Sequence, residues 1–222
     1  MRTTRSAQSG FTLLEIIVVL AVLGALAAVL TPVVFRYIDD ANVTRAKADA
    51  AGIASAINKM YKDTGRWPFY EDGDDNLAYT SGTDPALLTS NSTCAVAVCT
   101  DATLPEDETA SDTWALGGVK DSIANHLILN TPLGSAAAGK KYATTGARAW
   151  KGPYVDQIPT VDPWGRSYLV NVANADPTVA EASQKWVIVI SAGPDGNLNT
   201  SATAALASNA VPTGDDIIAR VR

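Results

Sequence analysis

Two groups of side chains stand where their chemistry needs a partner. The first is a lone carboxylate. Glu15 lies inside an apolar run, Phe11 to Leu30, in which only Thr12, Glu15 and Gly24 are not strongly apolar. An unpaired carboxylate in such a segment is costly. The second group is Asp195-Gly-Asn197-Leu-Asn199, with Asp215 and Asp216 further along. Oxygen side chains at alternate positions can wrap a chain around a hard cation, and Asp215 or Asp216 could return to close the site. This is not an EF-hand: Thr200 stands where the turn glycine would be, and Leu206 where the bidentate Glu would be. An all-oxygen set suits calcium better than zinc. Asp, Asn and Gly also populate ordinary turns, so a loop with solvated acids is the alternative reading.

Other reactive residues are few. Cys94 and Cys99 are the two cysteines, and His126 is the one histidine. In an oxidising compartment the cysteines are close enough to close a small loop. A CxxxxC without a neighbouring His makes a poor zinc site. His126, in Ala-Asn-His-Leu-Ile-Leu, reads as partly buried structure, and no nucleophile motif stands near it. An enzyme reading therefore has little to work with. The acids Glu71, Asp72, Asp74 and Asp75 could hold a cation, but such a run more often reads as a solvated loop. The formal charge is −6, and a net acidic chain argues against nucleic acid as the main partner.

The elements that must position these residues begin with the apolar run. A helix from Phe11 to Leu30 spans roughly 30 Å, the thickness of a bilayer's hydrocarbon core. Arg2 and Arg5 precede it, so the positive-inside rule leaves the N-terminus in the cytoplasm. The helix is expected to continue past Pro32, with a kink or loosening there. Ala46, Ala50, Ile53, Ala54, Ile57 and Tyr61 form a stripe for burial, and Thr64-Gly65 ends the helix. Ser-Gly-Thr-Asp84-Pro85-Ala-Leu-Leu-Thr-Ser reads as a short helix with proline in its first turn. Lys120 to Asn130 reads as a second helix. Tyr168 to Val172 and Trp186 to Ser191 read as strands pairing antiparallel, with Asp216 to Val221 as a third. The expected class is α+β: a long N-terminal helix packed on a small antiparallel sheet of about three strands, with extended loops.

Gly10-Phe11-Thr12-Leu13-Leu14-Glu15, with the apolar helix up to Pro32, resembles the processing motif of the type IV pilin-like superfamily. The resemblance implies cleavage by a prepilin peptidase between Gly10 and Phe11, with methylation of Phe11. It implies three segments: a leader at 1–10, a transmembrane and assembly half-helix at 11–35, and a periplasmic domain at 36–222. Loss of Arg2 and Arg5 would take the formal charge two units lower. The Phe11 amine of a neighbouring subunit is then the natural partner for Glu15, and pairing within one helix is the alternative.

A second block is similar to the major pseudopilin of type II secretion systems. Lys151-Gly152-Pro153-Tyr154, Asp162-Pro163-Trp164-Gly165 and Ser167-Tyr168 resemble the segment leading into that subfamily's sheet. Ser191-Ala192-Gly193-Pro194-Asp195-Gly196 and Asp215-Asp216-Ile217 resemble its calcium loop. That resemblance implies Asp195 and Asp216 as Ca²⁺ ligands, with Asp215, Asn197 and the Ala192 carbonyl as further ones. The middle of the chain and the stretch from Asp195 to Asp215 are longer than the subfamily's pattern. The implied function is that of a structural subunit of a secretion pseudopilus. Its expected partners are copies of itself, the prepilin peptidase, other pseudopilins, the inner-membrane assembly platform and the membrane. The alternative is an extracellular type IV pilin or minor pilin for adhesion, motility or DNA uptake.

Overall fold

The computed structural model describes residues 11–68, 87–95, 98–107, 114, 116, 119–134, 141–175, 185–202 and 212–221. The expected leader, the Glu71–Asp75 acids and the Asp84-Pro85 helix start lie outside them. The chain forms two compact units, one ending at Asn42 and one running from Val43 to Arg222.

Helix α1 runs from Leu13 to Thr64 and is unbroken through Pro32. Every residue from 11 to 41 is exposed in the isolated chain. From Ala46 onward the helix buries Ala46, Ala50, Ile53, Ala54, Ala56, Ile57, Met60 and Thr64. The expected stripe is largely present, but its last member differs. Met60 is fully buried, whereas Tyr61 is 37% exposed. Three residues past Ile57 lies on the core face and four lies at its margin, where Tyr61 stacks on Trp67 with ring centroids 4.1 Å apart. Burying side chains such as Ile57 and Met60 contributes roughly 1.5–3 kcal/mol each. At the end of α1, the Gly65 amide donates to the Tyr61 carbonyl at a φ of 67°. Glycine adopts that left-handed conformation without steric cost, so the helix stops there.

The remaining elements are strands β1 (Leu87–Thr89), β2 (Thr93–Ala95), β3 (Val98–Thr100), β4 (Glu106–Asp107), β5 (Lys120–Ser122), β6 (Leu169–Asn171), β7 (Ile188–Ser191), β8 (Asn197–Leu198) and β9 (Ile217–Arg220), plus short helical turns. The main sheet has the order β5-β1-β6-β7-β9. The expected antiparallel strands are β6, β7 and β9, with Val170 opposite Val189 and Val189 opposite Ala219. The sheet is wider than expected and mixed, because β1 pairs parallel with β5. Leu87–Thr89, expected in a helix, is instead a strand between β5 and β6. Lys120–Ser122, also expected in a helix, is β5, and the helical part is confined to a turn that includes Asn125–Leu129. A parallel pair needs a long crossover, and the middle of the chain supplies it between Thr89 and Lys120.

Strand alternation divides the core in two. Leu88, Tyr168, Val170, Val187 and Val189 point toward α1, with Ile53, Ile57 and Met60. Leu87, Leu169, Ile188 and Ile190 point the other way, where Trp114, Leu198 and Ala202 complete a second core. Tyr168 ties the first layer to the helix by donating to Asp49 Oδ2 at 3.1 Å. Burial, together with the Asp49 charge, pushes the Tyr168 hydroxyl well above its ordinary pKa, so it remains a donor.

Asp101 joins the middle segment to the approach to β6. Its Oδ1 accepts from the Thr103 amide and hydroxyl, each at 2.8 Å, and its Oδ2 from the Ser167 hydroxyl at 2.6 Å. Burial acts to raise its pKa, but these bonds outweigh it and hold the carboxyl below its ordinary value. A carboxyl depressed by folding contributes stability that is complete above its unfolded pKa, about 3.9. That contribution is lost as pH falls through the lower folded value. Asp101→Asn in a fragment starting at Asp39 should lower the melting temperature at pH 7 and reduce the further loss below about pH 4. Parallel melting-temperature profiles for variant and wild type would show that the carboxylate contributes nothing.

Candidate functional site

The start of α1 is built by its own sequence. Thr12 Oγ1 accepts the Glu15 amide at 3.2 Å, so Thr12 caps the helix. Thr-x-x-Glu ahead of an apolar run is the sequence signal for this arrangement. Glu15 lies in the first turn of α1, and Phe11 just before it is 81% exposed. Gly10 lies outside the described residues. An exposed apolar helix this long is long enough to cross a membrane. Its surface needs lipid or other helices to cover it, and Glu15 places one carboxylate at its beginning.

The second site lies where β7 ends. The Asn197 amide donates to Asp195 Oδ1 at 2.8 Å, and the Asp195 amide to Asp215 Oδ2 at 3.1 Å. Asp216 Oδ2 accepts the Asn199 and Thr200 amides. The two halves of the expected loop are therefore held together by carboxylate-to-amide bonds. Gly193 permits this approach: a Cβ there would lie 2.5 Å from the Asp215 carbonyl oxygen, and its φ of 66° is left-handed. Ala192 is fully buried and Asp195 is exposed. Among the described residues, no three His, Cys, Asp or Glu side chains gather as a metal cluster.

Asp216 is the unusual member. It is 6% exposed, and no donor among the described residues reaches its Oδ1. Burial raises its pKa, and the nearby Asp215 charge adds to the rise, against hydrogen bonds from Thr200 and Asn199. An oxygen buried without a donor costs free energy. A cation beside it would supply the missing partner, and the oxygen donors present have the chemistry of a calcium site.

The residues supporting this loop are less evident in the sequence. Asp162, 3% exposed, accepts the Trp164 and Arg166 amides on Oδ1. Its Oδ2 accepts the Ser191 hydroxyl at 2.6 Å, which locks the Asp-Pro-Trp-Gly turn onto the residue that starts the loop. Arg166 lies against Gly196. The middle segment covers the other side. Strand β4 pairs parallel with β8, and the buried Trp114 donates to the Thr200 carbonyl at 2.7 Å. Acceptor side chains followed two residues later by a turn signal Asp162 in the sequence; no local pattern signals Trp114.

The backbone register of β2 and β3 sets Cys94 opposite Cys99, and their side chains lie outside the described residues. His126 is fully buried, with Nδ1 2.6 Å from the Tyr142 hydroxyl and Nε2 2.8 Å from Asp121 Oδ2. It is a core residue, more completely buried than the sequence suggests.

Comparison with known proteins agrees with the start of the chain. The prokaryotic N-terminal methylation motif matches residues 5–31. The chain thus carries the N-terminal motif of type IV pilin-like proteins, and its α+β architecture is consistent with a pilin-like fold. It is 45% identical over 69 residues to the type II secretion system core protein G of Pseudomonas aeruginosa, a match covering 31% of this chain and 49% of that protein. It is 43% identical over 61 residues to the type IV major pilin protein PilE1 of Neisseria gonorrhoeae, covering 28% of this chain and 37% of the pilin. It is 36% identical over 64 residues to the fimbrial protein EcpC of Eikenella corrodens, covering 29% of this chain and 42% of that protein. Each match thus covers less than half of the relative's own length. No solved structure matches the chain.

Proposed function

We propose that this chain is a structural subunit of a type II secretion pseudopilus. The observation that carries this reading is α1, an exposed apolar helix with one carboxylate in its first turn, headed by the methylation motif. In the membrane such a helix is covered by lipid. In a filament it packs on other helices, and assembly exchanges lipid contacts for protein contacts. A prepilin peptidase would cut after Gly10 and methylate Phe11, and the amine so created on one copy would pair with Glu15 of another. The domain from 36 onward would lie in the periplasm, and growth of the filament would push secreted proteins toward an outer-membrane channel. The similarity to core protein G supports this reading, as does the oxygen-rich loop at Asp195 and Asp216. The pilin and fimbrial relatives support the second reading, an extracellular pilus subunit.

Calcium belongs to this proposal. Asp195 and Asp216 would be its ligands, with Asp215, Asn197 and the Ala192 carbonyl as further oxygens. The ion's role would be structural: it would neutralise Asp216 and order the loop, so that binding energy acts as folding energy. A ligand specific for the folded state stabilises it by about 2.7 kcal/mol at a hundred times Kd.

Three outcomes are expected. A fragment from Asp39 onward should melt several degrees higher in calcium than in chelator. Asp195→Ala and Asp216→Asn should each remove that difference, and Asp216→Asn should leave the chelator value little changed because the cost of the buried charge goes with it. A melting temperature indifferent to calcium and chelator would remove the ion from the proposal.

Intact-mass spectrometry of chain from peptidase-competent membranes should show residues 1–10 missing, one added methyl, and a Cys94–Cys99 disulfide. Chain that retains its first ten residues there would defeat the processing step, and two labelled thiols without reduction would defeat the disulfide.

Glu15→Val should still enter the membrane, since it makes the segment more apolar, yet lose most filament formation. Normal filaments from that variant, seen by electron microscopy, would end the proposed role of Glu15.

A further inference from the structure

Between the second half of α1 and strand β9 lies an open groove of about 490 Å³. Ala51, Ala54 and Ala219 are among its apolar lining, and Lys59, Lys62 and Arg220 supply its charge. All three cations are exposed. Arg220 stands over the Trp186 ring, 4.4 Å from its centroid, which holds the guanidinium beside the groove. Among the described residues no acidic side chain lines the groove, although acids outnumber bases in the chain as a whole. Strand β9 is also the last strand of its sheet among the described residues.

The same domain carries a matching acidic element on its other face. Strand β4 is Glu106-Asp107, and Glu106 is exposed. It is held by pairing with β8, whose Leu198 belongs to the core on the side of the sheet away from α1. The groove is on the α1 side, where Ala54 and Ala219 pack with the first core.

We propose that this groove receives the acidic strand Glu106–Asp107 of a neighbouring copy in the filament. The inference rests on the assembly reading above. Two grooves facing each other would set cation against cation, so a symmetric pair is disfavoured. A groove on one face and an acidic strand on the opposite face form a head-to-tail contact. Such a contact does not close on itself and repeats along a helical assembly. Small alanines in the floor let an extended strand lie close to the helix, and the three cations set its charge.

The test uses full-length filaments sheared from cells expressing the chain. Carbodiimide joins a lysine amine to a carboxylate in direct contact with it. In filaments grown from mixed heavy- and light-labelled copies, peptide mapping should find Lys59 or Lys62 joined to Glu106 or Asp107, with one peptide heavy and the other light. Intact filaments in which those lysines join other carboxylates, or none, overturn the contact. Lys59→Glu with Lys62→Glu should lower filament yield about tenfold. Adding Glu106→Lys and Asp107→Lys to the same chain should restore it, a rescue that lost folding would not permit. A yield unchanged by the first pair, or not restored by the second, overturns the proposal. If the wild-type chain forms no filaments under any expression condition, the assembly reading itself fails, and this contact with it.

Discussion

Both faces of the main sheet are apolar, and each must be covered. This constraint organises the domain. Helix α1 covers one face through a stripe of small and medium side chains, which lets it lie close to Leu88, Val170 and Val189. A lone helix would leave Leu87, Leu169, Ile188 and Ile190 in water. The middle of the chain meets that need with Trp114, while Leu198 and Ala202 come from the loop after β7. The extra length between α1 and β6 is therefore part of the fold. It adds β1 and β5 to the sheet and helps build a second core.

Buried carboxylates tie these layers together, and they differ in one informative way. Asp121 accepts the Ser122 amide and the Asn125 side chain on one oxygen and the Leu133 amide on the other. Asp162 also has donors on both oxygens. Charge-assisted bonds of this kind are the strong ones, and they fix turns where apolar packing is thin. Asp216 is built on the same plan but, among the described residues, keeps one oxygen without a donor. That difference is what the proposed calcium would act on.

Elements with a clear period were legible in the sequence: α1 by its length and stripe, β6, β7 and β9 by β-branched alternation. The strands missed were those whose identity depends on distant partners. Leu87–Thr89 carries two leucines after a proline and reads locally as helix; the chain places it between β5 and β6. Lys120–Ser122 has no apolar residue, and its pairing with β1 rather than its own composition makes it a strand. The candidate loop could be read because Asp, Asn and Gly recur at close spacing. The turn at Asp162 could be read too, but not its bond to Ser191, and the support by Trp114 and β4 could not, since these contacts join segments far apart in sequence and form only in the folded domain.

The cap on α1 has a consequence for timing. Thr12 satisfies the Glu15 amide with a side chain that a cut after Gly10 would not touch. The helix therefore needs no terminal amine to define where it starts. Removal of the first ten residues would lower the positive charge at that end, from Arg2, Arg5 and the leader's own terminus to a single ammonium, and would place that ammonium directly beside the cap. In the proposed processing, the cut would leave the shape of the helix alone and supply the ammonium that pairing with Glu15 of another copy calls for.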